Sequence, residues 1–312
     1  MSQALRVTGL SKRFPGRRSL FGRHKGSVQA VHPLSLSVAP GETLGIVGES
    51  GCGKSTLARM LAGLLRPTTG MVEVEGAPLD GVDGARIQYA FQDPISSLNP
   101  RKRVRQIIEA PLLHLHEMDA TERSRRVAEA IGSVNLREAF LDRYPHEFSG
   151  GQAQRIGIAR ALAADANVLI LDEPVSALDV SVQAQVLNLL ADLKAAHGLT
   201  YLFISHDLAV VEAVSDRVAV LYFGSLVELG PAATVFSAPR HPYTRLLAKS
   251  APVVGRRLAA PEPQDVDLPD PLNPPTGCAF AARCPRADAR CRSERPRLDT
   301  HGATSVACFH PL

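Results

Sequence analysis

The chain has 312 residues, 45% of them hydrophobic, and a formal net charge of +4, with a mean hydropathy near zero. That leaves room for one large domain with an appendage or for two modest domains of ordinary globular composition, and too little positive charge to point to nucleic acid. No apolar run approaches the roughly 20 residues of a membrane-spanning helix, and the start Met1-Ser2-Gln3-Ala4-Leu5-Arg6 lacks the apolar core of a secretory signal, so the chain is expected in the cytoplasm unless a partner carries it to a membrane.

In chain order, residues 5–7 and 28–38 alternate loosely as strands, and Thr43 to Val47 is a short apolar run that ends at Gly48. Residues 72–75 alternate cleanly, the pattern of a half-exposed strand near a sheet edge. From residue 104 to about 133 the period becomes helical, marked by Ile107, Ile108, Val127, Ala130 and Ile131. Residues from about 95 to 165 read as a helical insertion. Residues 168–171 are a continuous apolar run suited to a strand covered on both faces. Val182, Val186, Leu189, Leu190 and Leu193 then mark one face of a helix closed by Gly198, and residues 201–204 form the next buried strand. The class is α/β with a helical subdomain.

After about residue 250 the composition shifts: ten of the 23 prolines fall between Pro252 and Pro311. Proline-rich, weakly periodic sequence is a poor source of core, so this stretch is expected to be a linker or a small module held by something other than packing. Two basic clusters, Lys12, Arg13, Arg17, Arg18, Arg23 and Lys25, and then Arg101, Lys102, Arg103 and Arg105, read as solvated faces or as contacts for anionic lipid or an acidic partner.

The densest chemistry lies in Gly48-Glu49-Ser50-Gly51-Cys52-Gly53-Lys54-Ser55-Thr56, which fits the phosphate-loop pattern G-x-x-x-x-G-K-[ST]. The glycines let backbone N–H groups converge on phosphate oxygens at the positive end of the following helix. Lys54 reaches the β- and γ-phosphates of ATP, the Ser55 hydroxyl ligates Mg²⁺, and Cys52 is a spacer. Asp172 and Glu173 end a buried strand, where parallel sheets bind ligands. Asp172 suits Mg²⁺ held through water, and Glu173 suits polarising the attacking water. His206, in Ser205-His206-Asp207, ends a further strand and suits the γ-phosphate or that same water. Ser149-Gly150-Gly151-Gln152 precedes a helix read as 153–162 and forms a second anion site. One chain does not need two, so the second is expected to serve a nucleotide held by another subunit.

Together these residues resemble the nucleotide-binding subunit of an ABC transporter. Phe148 to Arg155 (Phe-Ser-Gly-Gly-Gln-Ala-Gln-Arg) is similar to the family signature, with phenylalanine where leucine is commoner and Ala153 in place of a polar residue. Gln92, in Phe91-Gln92-Asp93-Pro94, matches the glutamine loop that senses Mg²⁺ and touches the membrane subunit. Ser176-Ala177-Leu178-Asp179 matches the loop that crosses the dimer interface, His206 matches the switch histidine, and Phe14 is the candidate for stacking on adenine. The resemblance implies a P-loop NTPase fold of the ABC type. It would have an antiparallel β subdomain, an inserted helical subdomain, and a small Cys/Pro-rich C-terminal extension, with residues 1–250 as the nucleotide-binding domain and 251–312 as the extension.

Tyr144-Pro145-His146-Glu147-Phe148, Arg240-His241-Pro242-Tyr243-Thr244 and the tail from Gly277 to Cys308 are similar to the dipeptide/oligopeptide importer ATPases. This implies a second, related ATPase as heterodimer partner, two permease subunits, an extracytoplasmic solute-binding protein, and a place at the cytoplasmic face of the cell's inner membrane. Relatives that import nickel, glutathione or antimicrobial peptides share these features. A mechanical ABC ATPase acting on nucleic acid or ribosomes is the rival of another class. Against it, the loop and the signature are separated by a compact helical insertion, and there is one cassette per chain. No Asn-Lys-x-Asp guanine-reading motif is present. Cys278, Cys284, Cys291 and Cys308, spaced Cys-x5-Cys-x6-Cys-x16-Cys with His310 beyond, are expected to hold an iron–sulfur cluster or Zn²⁺, or to remain unligated thiols.

Overall fold

The computed structural model describes residues 3–16, 26–90, 96–250 and 269–312. Gln92, and with it Arg17, Arg18, Arg23 and Lys25 of the first basic cluster, lie outside the described residues. Strands β1 (Leu5–Pro15) and β2 (Ser27–Val38) pair antiparallel, from Leu5 opposite Val38 to Pro15 opposite Ser27. Next, β3 (Thr43–Val47) runs into the phosphate loop and α1 (Lys54–Leu61). A four-stranded antiparallel sheet, ordered β2-β1-β4-β5, is completed by β4 (Thr69–Val74) and the two-residue β5 (Ala77–Pro78).

After β6 (Ile87–Ala90) the chain turns helical, with α2 (Val104–Leu115), α3 (Ala120–Ser133) and α4 (Gly150–Ala163). The helical stretch read as 104–133 is two helices, because Asp119 caps α3 by accepting the Glu122 N–H at 2.8 Å. Likewise α4 starts at Gly150, ahead of Ala153, because Ser149 is its N-cap.

The remaining elements are β7 (Val168–Asp172), α5 (Val180–His197), β8 (Thr200–Ile204), α6 (Leu208–Val214), β9 (Arg217–Tyr222), β10 (Ser225–Pro231), α7 (Ala232–Ser237) and α8 (Pro242–Ser250), followed by α9 (Ala289–Ser293), β11 (Asp299–His301) and β12 (Thr304–Val306). Gly198 closes α5 in the left-handed conformation, with φ 65°. The main sheet is ordered β11-β12-β10-β9-β3-β8-β7-β6. Its centre is parallel, with β3 between β8 and β9, and β7 between β6 and β8.

The continuous apolar strands serve two cores at once. Leu169, Leu171, Tyr201 and Phe203 face a core shared with Ile107, Val127, Ile156 and Leu189 of α2 to α5. Val168, Ile170, Leu202 and Ile204 face the opposite core, with Leu57 of α1 and with Leu5, Val31 and Val72 of the antiparallel sheet. No helix of the described residues is long and apolar enough to cross a membrane.

The proline-rich end is packed more firmly than its composition implies. Strand β12 extends the main sheet by pairing with β10, placing Val306 opposite Glu228 and Ser305 opposite Leu229. Phe280 and Val306 are fully buried. A few well-placed apolar side chains suffice here because the sheet edge of β10 supplies the other half of the contact.

Candidate active site

The phosphate loop, Glu173 and His206 leave the carboxyl ends of β3, β7 and β8, three neighbours in the parallel sheet. Backbone bonds tie these ends together: the Glu173 N–H donates to the Ile204 carbonyl at 2.9 Å, and the Ser205 N–H to that of Ile46 at 3.3 Å. They open on a cleft of about 560 Å³, lined by Ser50, Gly51, Gly53, Lys54, Ser55 and Thr56 of the loop, by Glu173 and His206, by Phe223, Gly224 and residues 28–30, and by Pro271 of the C-terminal extension. That is the size of a small-molecule site.

Within the loop, Gly53 has φ 103° and its Cβ, if present, would lie 2.4 Å from the Ala30 carbonyl oxygen. A side chain there is excluded by both backbone conformation and space. Lys54 is buried, and its ammonium donates to the carbonyls of Gly48 at 2.7 Å and Glu49 at 3.0 Å. The cation is thereby held inside the curl of the loop, where an anion entering from the cleft meets it. Cys52 is buried behind the loop, 3.9 Å from the Lys54 ammonium. Burial pushes its thiol up, with Lys54 partly opposing.

The adjacent carboxylates occupy different surroundings. Asp172 is 4% exposed. Its Oδ2 accepts the Tyr89 hydroxyl at 2.5 Å, while Oδ1 is buried without a hydrogen-bond partner among the described residues. A buried carboxylate oxygen in that condition is costly, and beside a phosphate loop it fits a hard divalent cation taking oxygen ligands, as Mg²⁺ does. Glu173 sits in the left-handed region, φ 49°, a strain of the kind that clusters at functional sites. Its Oε1 lies 3.3 Å from His206 Nδ1.

The other residues expected at the site lie elsewhere. Ser149 and Gln152 form a reciprocal cap at the start of α4, the Ser149 N–H donating to Gln152 Oε1 at 3.1 Å and the Gln152 N–H to Ser149 Oγ at 3.4 Å. None of the described residues lining the cleft comes from Ser149, Gly150, Gly151 or Gln152. Asp179 is exposed at the start of α5 and makes no side-chain capping bond. Phe14 is 37% exposed, with the Lys12 ammonium 5.3 Å from its ring centroid. It pairs with the cleft-lining Val28 but is not itself among the lining residues. Arg101, Lys102 and Arg103 are exposed ahead of α2.

The sequence reading misses Phe223. It stands with Gly224 in a two-residue turn between β9 and β10, both with positive φ, and the Gly224 N–H donates to the Cys52 carbonyl at 2.8 Å. Phe-Gly between two apolar runs is the available signal, weakened because phenylalanine rarely adopts this conformation.

Cys278, Cys284, Cys291 and Cys308 are free thiols lining one small cavity. Burial pushes Cys278 up to about 11, and also raises Cys291 and Cys308. Among the described residues, the trio of potential metal-ligand atoms lying within 4.8 Å of one another is Asp288, Cys291 and His310. Asp288 is accounted for otherwise: it caps α9 through the Cys291 N–H at 2.8 Å and pairs with His310 Nε2 at 2.9 Å.

Comparison with known proteins matches residues 31–176 to the family described as ABC transporter and residues 227–291 to the C-terminal region of oligopeptide/dipeptide transporters. The chain is 45% identical to the dipeptide transport ATP-binding protein DppF of Haemophilus influenzae, covering 98% of this chain and 96% of that one. It is 47% identical to the oligopeptide transport ATP-binding protein AppF of Bacillus subtilis, with the same coverage. Among solved structures, a dimeric post-hydrolysis ATP-binding cassette bound to ADP and Pi superposes with a TM-score of 0.64 at 27% identity, covering 73% of this chain and 98% of that one.

Proposed function

This chain belongs to the ATP-binding subunits of the dipeptide/oligopeptide branch of ABC transporters, and from that premise we propose that it binds and hydrolyses ATP to drive peptide import through a membrane permease. The observation that carries the reading is the meeting of Lys54, Ser55, Glu173 and His206 in one cleft beside an Asp172 oxygen that has no hydrogen-bond partner among the described residues. Lys54 takes the β- and γ-phosphates, and the loop N–H groups take the remaining phosphate oxygens. Ser55 and Asp172, with Gln92, would hold Mg²⁺, which when bound neutralises charge on the transferring phosphoryl group. Glu173 orients and polarises the attacking water, whose oxygen bonds to the γ-phosphorus as the bond to ADP breaks. His206 holds Glu173 and the water in line.

Ser149, Gly150, Gly151, Gln152 and Asp179 complete the site of a second, related ATPase subunit, and Phe14 stacks on adenine. Binding closes the dimer and hydrolysis reopens it, with Gln92 and Arg101 to Arg105 passing the motion to two permease subunits fed by an extracytoplasmic binding protein. The place of work is the cytoplasmic face of the inner membrane. Residues 1–250 form the nucleotide-binding unit and 251–312 an extension whose four cysteines hold an iron–sulfur cluster or Zn²⁺.

Substitution Glu173→Gln tests the assignment: ATP still binds, phosphate release falls by about a hundredfold or more, and the closed dimer accumulates on size-exclusion chromatography. Unchanged hydrolysis overturns it.

A further inference from the structure

Glu49 occupies a position of the phosphate-loop pattern that admits any residue, and its side chain does not line the cleft. It is nevertheless fastened at three points. The carboxylate accepts two parallel bonds from Arg283, Nη1 to Oε2 at 3.0 Å and Nη2 to Oε1 at 3.1 Å. The backbone N–H donates to the Tyr243 hydroxyl at 2.9 Å, and the carbonyl accepts from Lys54 Nζ at 3.0 Å. Arg283 comes from the C-terminal extension, next to Cys284 and 234 residues away in sequence. It reaches the Tyr222 hydroxyl at 3.4 Å, and its guanidinium lies 5.6 Å from the Phe280 ring centroid.

The geometry assigns Arg283 as a positioning residue of the ATP site, acting through Glu49 on the phosphate loop; this rests on the ATP reading above. Two physical effects act in the same direction. A two-pronged guanidinium–carboxylate contact fixes orientation as well as distance. With side chains 12% and 26% exposed, it is screened less than a surface pair. It therefore holds the Glu49 peptide, and with it Lys54, in a loop whose glycines would otherwise have to be ordered by the ligand. Arg283 also neutralises a carboxylate that would stand unpaired near a polyphosphate. The extension is thus part of the nucleotide site through the phosphate loop itself, beyond the place of its Pro271 in the cleft lining.

The test is a set of three full-length variants, Arg283→Gln, Glu49→Gln and the double, each titrated with MgATP and assayed for hydrolysis in the presence of its partner subunits. Arg283→Gln raises Kd and KM about tenfold with kcat little changed. Adding Glu49→Gln to it weakens binding no further and recovers part of the loss, since the unpaired negative charge is gone. A KM for Arg283→Gln within twofold of wild type, or single effects that multiply in the double variant, overturns the assignment. If Arg283→Gln unfolds the extension, Glu49→Gln decides alone, because it breaks the pair from the loop side: raised KM supports, unchanged KM refutes. A wild-type chain that does not bind MgATP overturns the ATP reading itself. Tight binding by wild type and Arg283→Gln alike overturns only the positioning.

Discussion

Behind the phosphate loop stands a small group of buried polar side chains that explains why Arg240-His241-Pro242-Tyr243-Thr244 is more than a subfamily marker. Glu228 is fully buried and accepts the N–H groups of Arg240 at 2.8 Å and His241 at 2.9 Å, fixing the entry to α8. His241 in turn accepts the Tyr243 N–H on Nδ1 at 3.0 Å, and Tyr243 supports Glu49. Burial lowers His241 to about 4 from an ordinary 6.5. The unfolded chain therefore takes up this proton first as the pH falls, so stability is full above pH 6.5 and declines between 6.5 and 4. From pH 7 to pH 5 this single group should cost about 2 kcal/mol. Glu228 acts in the opposite sense, because burial raises its carboxyl and the folded state binds that proton first. Urea unfolding of wild type and His241→Gln at both pH values isolates the histidine. The variant should lose about 2 kcal/mol less on acidification, and parallel losses would show that His241 is not held neutral.

At the scale of elements, legibility followed the strength of local signals. The run Thr43 to Val47 and residues 168–171 and 201–204 were readable because a parallel strand buried on both faces must be apolar throughout, and their ends carry Gly48, Asp172 and Ser205. Strand β6 was not, since Gln88 interrupts the apolar run of its four residues. The β9–β10 hairpin escaped because its turn is Phe223-Gly224, not the asparagine–glycine such turns favour. Nothing local announces that Arg283 meets Glu49, as the contact exists only once the extension has joined the sheet through β12. Composition also misled at the extension, where prolines pointed away from packing although Phe280 and Val306 anchor it. Its four thiols gather from a turn, from α9 and from the stretch beyond β12. Full-length protein purified without oxygen should contain either iron, with a brown colour, or zinc by elemental analysis, and Cys291→Ser should lose that metal. A folded, metal-free wild type would remove the metal site.

For the whole molecule the decisive geometry is a separation. Lys54, Ser55, Glu173 and His206 share one cleft, while the Ser149 cap and the exposed Asp179 carboxylate lie outside its lining. On the proposed reading the start of α4 serves a nucleotide held by another chain, and a relative of this fold has been solved as a dimer bound to ADP and Pi. If the two halves work only across an interface, hydrolysis per chain depends on how much of the chain is paired. The rate should rise with concentration of the chain and its partner ATPase, and fall towards zero on dilution. Ser149→Arg blocks the second half without touching the first: MgATP binding should stay within about twofold, whereas turnover should fall by on the order of a hundredfold, as when transition-state contacts are removed. A diluted chain that hydrolyses at full rate, or a Ser149→Arg variant that retains turnover, would mean that the single cleft is sufficient.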